Sequence, residues 1–125
     1  MSTNSAYNKP GNKGLIRIVK AIGYSFKGLK SAFFYESAFR QEIAITLLLT
    51  PVLLLSETSF VEKVILAGTL VNLLVVELIN SAIEATVDRI GSDFNELSGR
   101  AKDIGSAAVF LSLCFASITW IGILL

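Results

Sequence analysis

One short stretch of this chain gathers acid and amide side chains at helical spacing. Glu77, Asn80, Ser81, Glu84 and Asp88 follow one another at intervals of one, three or four residues. On a helix turning 100° per residue they fall within about 100° of arc, on one face. The residues between them are mostly apolar, so a polar stripe runs along an otherwise greasy helix. Two carboxylates on such a stripe suit three chemistries. They can hold a hard cation, since Mg²⁺ is commonly bound by one or two carboxylates together with substrate phosphates. One of them can act as a general base, a role for which burial tunes a carboxyl group. They can also relay a proton or ion through a transporter. A fourth reading is structural, with Asn80 and protonated glutamates joining helices in a non-catalytic assembly. Spacing alone leaves all four open.

The stripe must be positioned by elements of unusual composition. The chain has 125 residues, of which 53% are hydrophobic and 17% charged, against about 25% charged in an ordinary soluble domain. So much apolar surface excludes disorder, and the length suits one domain. Histidine is absent, which removes histidine bases, zinc–histidine sites and serine–histidine triads. The single cysteine, Cys114, rules out a disulfide framework or a multi-cysteine metal site. These features describe a small integral membrane protein.

The spans show as uncharged runs. Residues 104–125 are 22 residues without a charge, and a helix needs about 20 to cross a hydrocarbon layer of about 30 Å. Residues 43–56 and 64–76 are uncharged runs of 14 and 13 residues. The first reaches spanning length when extended back to Phe39, and the second continues its apolar pattern to Val87. Three transmembrane helices are therefore expected, at 38–56, 60–88 and 101–124. Ser59 with Glu62 three residues on forms a capping-box pattern that starts the second span, after a short turn of Ser56, Glu57, Thr58 and Ser59. Gly91, Ser92, Asp93, Asn95 and Gly99 mark a loop before the third. Pro51 predicts a kink inside the first span, tolerable where neighbours satisfy the freed carbonyl. A cleaved signal peptide is excluded, because the first apolar run begins near residue 39 with no small-residue cleavage signature. Trp120 reads as an interfacial anchor and Cys114 as a small apolar residue.

Residues 13–35 form a different object. Leu15, Ile18, Val19, Ile22, Phe26, Leu29 and Phe33 recur at three- and four-residue spacing, with Lys13, Arg17, Lys20 and Lys27 on the opposite side. A basic amphipathic helix of this kind lies in the membrane interface with its apolar face in lipid. Residues 1–12 read as a flexible tail. Ten of the eleven basic residues precede the first span or lie between the second and third, and only Lys63 lies at the other connection. The positive-inside rule makes the first side cytoplasmic, with the N-terminus inside and the C-terminus outside.

This topology gives the stripe a direction. Glu84 and Asp88 lie toward the cytoplasmic end, and Glu77 sits about 10 Å deeper at 1.5 Å per residue. A charged side chain at bilayer depth costs at least about 2.5–3.5 kcal/mol on insertion scales and marks a functional candidate. A gradient from water to lipid along one stripe suits joining a soluble phosphate donor to a lipid acceptor. Glu36 and Glu42, at the junction of the surface helix and the first span, lie near the same boundary. Residues 23–31, GYSFKGLKS, approach a phosphate-binding loop but carry Leu29 before Lys30 and lie inside a helical pattern, so a Walker motif is rejected.

At residues 77–108, ELINSAIEATVDRIGSDFNELSGRAKDIGSAA, the sequence resembles the prokaryotic integral-membrane diacylglycerol kinase family. The likeness extends back through FRQE to the RIVKAIGYSFKGLKSAF stretch and forward into the third span. The pattern E-x₂-N-S-A-x-E, followed by VDR and SGRAKD, is long and specific. The resemblance implies an all-α integral membrane protein in which an N-terminal amphipathic surface helix and three transmembrane helices form a homotrimeric bundle with shared active sites. It implies transfer of the γ-phosphoryl group of MgATP to diacylglycerol, giving phosphatidic acid, at the cytoplasmic face of a bacterial inner membrane. Glu77 then resembles the general base and Asn80 a polar residue needed near the transfer site. Glu36 and Glu84 resemble the Mg²⁺ ligands. Arg17, Tyr24, Glu36, Glu84, Asp93, Phe94, Asn95, Lys102 and Asp103 match nucleotide-contacting positions. Arg17, Glu77 and Ser106 match the lipid-binding surface. The implied partners are ATP, a lipid substrate, the bilayer and further copies of the chain, with no nucleic acid. The loop reads SDFNE where members often read SEYHE, and Phe26 stands where some carry Trp. Related kinases act on undecaprenol, a polyprenol, which is the alternative acceptor.

Overall fold

The computed structural model describes residues 13–125, which fold as four helices: α1 (Leu15–Tyr35), α2 (Ser37–Leu55), α3 (Phe60–Ile90) and α4 (Glu96–Leu124). The expected tail, residues 1–12, lies outside the described residues. The chain divides after Ser31 into two units, the second being Ala32–Leu125. In the first unit Gly14 takes φ 63°, a conformation that costs a glycine little, and its carbonyl accepts from Ile18 N as the helix begins. The apolar residues picked out by their spacing, from Leu15 to Leu29, are exposed along α1.

In the second unit α1 ends and α2 starts around a single extended residue, Glu36. The last carbonyls of a helix lack intrahelical partners. Arg40 supplies two of them, its Nη1 donating to Phe33 O at 2.7 Å and Phe34 O at 3.0 Å. The helix α2 continues through Pro51. Residues 56–59 then turn the chain, and Lys63 Nζ ties that turn down by donating to Ser56 O at 2.6 Å and Leu53 O at 3.2 Å. Ser59 Oγ accepts from Glu62 N while Glu62 Oε2 accepts from Ser59 N, so the capping box forms as its sequence predicted.

The central element is α3, which packs against both α2 and α4. Leu53, Leu66, Leu70 and Trp120 form the buried core at one end, flanked by Leu49, Ala67, Ile123 and Leu124. On α4 the buried positions are Gly105, Ser112, Ala116 and Trp120, a narrow seam of mostly small residues that lets two helices approach closely. All of α2, α3 and α4 are long and apolar enough to cross a membrane. Leu47, Leu48, Val71, Val75, Ile79, Phe110 and Leu111 are exposed on their outer faces.

Three expectations need correction. The loop between α3 and α4 is residues 91–95. Gly99 belongs to α4, where its N–H donates to Asn95 O, and α4 begins at Glu96 instead of 101. Asn95 is the reason: its Oδ1 accepts from Leu97 N at 2.9 Å and Ser98 N at 3.1 Å, capping the helix. Trp120 is not an interfacial anchor. It is buried, and its Nε1 donates at 2.9 Å to Thr69 Oγ1 of α3, which donates in turn to Leu66 O. An apolar surrounding without water makes such a pairing obligatory for the indole N–H. Interhelical hydrogen bonds in membranes are worth about 0.6 kcal/mol, at most about 1.7. Trp120→Phe, which keeps a ring and removes the donor, is therefore expected to lower the unfolding free energy in a detergent titration by about 0.5–1.5 kcal/mol.

Candidate active site

The stripe on α3 faces inward. Glu77 is 4% exposed, Ser81 7% and Asn80 8%. Glu84, farther along the helix, is half-buried and Asp88 is exposed. Burial thus falls from Glu77, Asn80 and Ser81 to Glu84 and on to Asp88 at the loop end of the helix. The face of α3 carrying Val71, Val75 and Ile79 is the exposed one, whereas Glu77 points into the protein.

Four members of the stripe pair with a neighbour one turn away. Ser81 Oγ donates to Glu77 Oε1 at 3.3 Å, and Asn80 Nδ2 donates to Glu84 Oε1 at 3.4 Å. These i, i+4 contacts follow from the helix itself. They engage one oxygen of each glutamate. Glu77 lies within electrostatic reach of both Glu84 and Glu36. Glu36 occupies the break between α1 and α2, half-buried, and its side chain makes no capping hydrogen bond. Its carboxylate is therefore not used by the helix it precedes. From α4, Lys102 Nζ pairs with Asp88 Oδ1 at 2.7 Å and stands within electrostatic reach of Glu84. The second unit thus brings together Glu36, Glu77, Asn80, Glu84 and Lys102.

The other candidate residues are described by their own surroundings. Asp93, Phe94 and Asn95 are exposed in the loop, with Phe94 96% exposed. The Asn95 carboxamide oxygen is used in the α4 cap. Asp103 and Ser106 are exposed on α4. Arg17, exposed, and Tyr24, half-buried, belong to the first unit, where Lys27 Nζ lies 6.0 Å above the Tyr24 ring.

Two residues gain a weight that spacing did not give them. Glu42 of α2 is 6% exposed, is electrostatically coupled to Glu77, and has Oε2 buried without a protein partner. Gly105 of α4 lies against Asn80, whose Oδ1 a methyl group at position 105 would overlap. The signal for Gly105 was present, because a glycine inside a helical pattern marks a close approach.

The arrangement can bind a hard cation through oxygen. Among the described residues no cluster of three or more His, Cys, Asp or Glu side chains is suited to hold a metal. Glu36 and Glu84 supply carboxylate oxygens, the donor type with which Mg²⁺ takes one or two protein ligands and completes its shell with phosphate oxygens and water. A buried carboxylate, Glu77, stands deeper along the same stripe.

The family model of prokaryotic diacylglycerol kinase matches residues 23–124. Over 107 residues the chain is 50% identical to the diacylglycerol kinase of Escherichia coli strain K12, covering 86% of this chain and 88% of that one. It is 46% identical over 115 residues to the diacylglycerol kinase of Pseudomonas aeruginosa, covering 92% and 94%. It is 44% identical over 111 residues to the diacylglycerol kinase of Haemophilus influenzae, covering 89% and 94%.

Proposed function

This chain belongs to the prokaryotic diacylglycerol kinase family, and from that membership we propose that it works through the inward stripe of α3, with Glu77 as the base. It is a membrane lipid kinase that transfers a phosphoryl group from ATP to diacylglycerol. The observation that carries the assignment of roles is the burial sequence along one helix face: Glu77, Asn80 and Ser81 buried, Glu84 half-buried and Asp88 exposed. Such a stripe admits a water-borne nucleotide at its open end and a lipid alcohol at its closed one.

Phosphoryl transfer asks for positioning, charge neutralisation and a proton acceptor, with little covalent chemistry from the protein. Glu77 takes the proton of the acceptor hydroxyl as its oxygen bonds to the γ-phosphorus and ADP departs. Ser81 holds one Glu77 oxygen, which leaves the other directed at that hydroxyl. Glu36 and Glu84 would hold Mg²⁺, which would offset the negative charge of the triphosphate. Asn80 orients Glu84. Lys102, with Asp103, Arg17, Tyr24 and the segment of Asp93, Phe94 and Asn95, binds the nucleotide. Ser106 and Arg17 border the lipid headgroup. The amphipathic α1 lies in the interface, the N-terminus is cytoplasmic and the C-terminus periplasmic. The exposed apolar faces of α2, α3 and α4 are covered by lipid and by two further copies of the chain in a homotrimer with shared sites.

The test is transfer of label from radiolabelled ATP in mixed micelles to diacylglycerol, undecaprenol and ceramide in parallel. Labelled phosphatidic acid, formed only with Mg²⁺, is the expected product. Label in undecaprenyl phosphate with none in phosphatidic acid would overturn the acceptor. Ion flux in liposomes without any labelled lipid would restore the transporter.

A further inference from the structure

Gly105 has no turn to make. It lies inside α4, buried, and on the face that meets α3. A Cβ built there would overlap Asn80 Oδ1 and stand 3.3 Å from Asn80 Cγ. The Asn80 carboxamide is thus lodged directly against the α4 backbone, in space that exists only because position 105 carries no side chain. Asn80 is 8% exposed and its Oδ1 has no hydrogen-bond partner in the protein, so the amide is held there by fit and not by a bond to α4. The other end of the same amide is committed. Nδ2 donates to Glu84 Oε1, and an amide is planar, so fixing its oxygen side fixes the direction of its nitrogen.

We propose that Gly105 is a positioning residue for the transfer reaction: its missing side chain seats the Asn80 amide, and that amide orients the Glu84 carboxylate toward the Mg²⁺-nucleotide. The inference rests on the reading of Glu84 as a metal ligand and extends it to a third helix. The nature of the overlap separates this role from simple packing. The atom that a methyl group would meet is the end of a side chain, not backbone. The two helices can therefore stay packed while the amide swings away and releases Glu84. Groups that only orient a metal ligand are typically worth about 10–100-fold in metal affinity.

The experiment compares Gly105→Ala, Asn80→Ala, the pair of them, and Glu84→Gln in the full-length protein. One readout is the Mg²⁺ concentration giving half-maximal turnover. A second, independent of turnover, is Mn²⁺ binding followed by electron paramagnetic resonance with a non-hydrolysable ATP analogue present. Gly105→Ala is expected to raise half-saturating Mg²⁺ and weaken Mn²⁺ binding about 10–100-fold, with the KM for diacylglycerol unchanged. The pair is expected to match Asn80→Ala alone, because a residue acting through another adds nothing once that other is gone. Unchanged metal dependence in Gly105→Ala, or losses that multiply in the pair, would overturn the proposal. Should Gly105→Ala fail to fold, recovery of folding in the pair with no loss beyond Asn80→Ala supports it, and failure of both overturns it. Intact Mn²⁺ binding in Glu84→Gln removes the metal reading and this inference with it. Weakened binding there beside an unaffected Gly105→Ala removes this inference alone.

Discussion

Glu77→Gln is expected to lower kcat by about 10²–10⁴-fold, the usual contribution of a positioned general base, while the KM for ATP stays within about a factor of two. The substitution is close to isosteric. The new side-chain carbonyl oxygen would still accept from Ser81, so the local geometry that holds position 77 survives. What disappears is the capacity to take a proton. Glu77 is separated from the open end of the stripe by Asn80, Ser81 and Glu84, and nucleotide contacts are assigned to none of its own turn, so nucleotide binding has no reason to change. Loss of a negative charge beside Glu36, Glu42 and Glu84 also relieves repulsion among neighbouring acids. The variant is therefore expected to be at least as resistant to thermal unfolding in detergent as the parent. A dead, stable, ATP-binding protein is the combined signature, read by radiolabelled turnover, nucleotide titration and a melting curve. Native turnover would remove Glu77 as the base. Loss of turnover with loss of ATP binding or of folding would make it a structural residue.

How much of this was legible in the residues depends on distance along the chain. The capping box of Ser59 and Glu62 is a matter of three residues, and it formed as read. The stripe from Glu77 to Asp88 is a single helix face, and its side chains do share that face. Spans were legible because insertion in lipid forbids charges over long runs. The start of α4 was not, because the test that finds a span is apolarity, while Glu96, Ser98, Gly99 and Arg100 extend the same helix beyond the apolar part. Asn95 carried the missing signal, since an asparagine ahead of a helical run is a cap. Contacts between helices were the least legible. Trp120 has the composition of an anchor or of a core residue, and the choice is made by Thr69, 51 positions away. The depth of Glu42 and the contact of Gly105 with Asn80 likewise belong to the packing of α2 and α4 on α3, which no periodicity within one segment encodes.

The second large effect is expected at Glu84. Glu84→Gln should raise half-saturating Mg²⁺ at least about tenfold and lower kcat at ordinary Mg²⁺, because removing even a group that merely orients a ligand costs about 10–100-fold in metal affinity. The distinguishing feature is recovery. Excess Mg²⁺ should restore part of the turnover of Glu84→Gln, since the neutral amide still offers an oxygen, though a weaker one for a hard cation. No amount of Mg²⁺ should restore Glu77→Gln, whose lost function is proton acceptance. Glu36→Gln should resemble Glu84→Gln, because both carboxylates flank Glu77 from opposite elements, one from the break before α2 and one from α3. Glu77 and Glu84 of α3 are seven residues apart and chemically identical. Only their surroundings can give them different tasks: Glu77 is sealed among helices, whereas Glu84 is half-buried and reaches the Lys102 side of the site. Full rescue of Glu77→Gln by Mg²⁺, or none of Glu84→Gln, would exchange the two assignments.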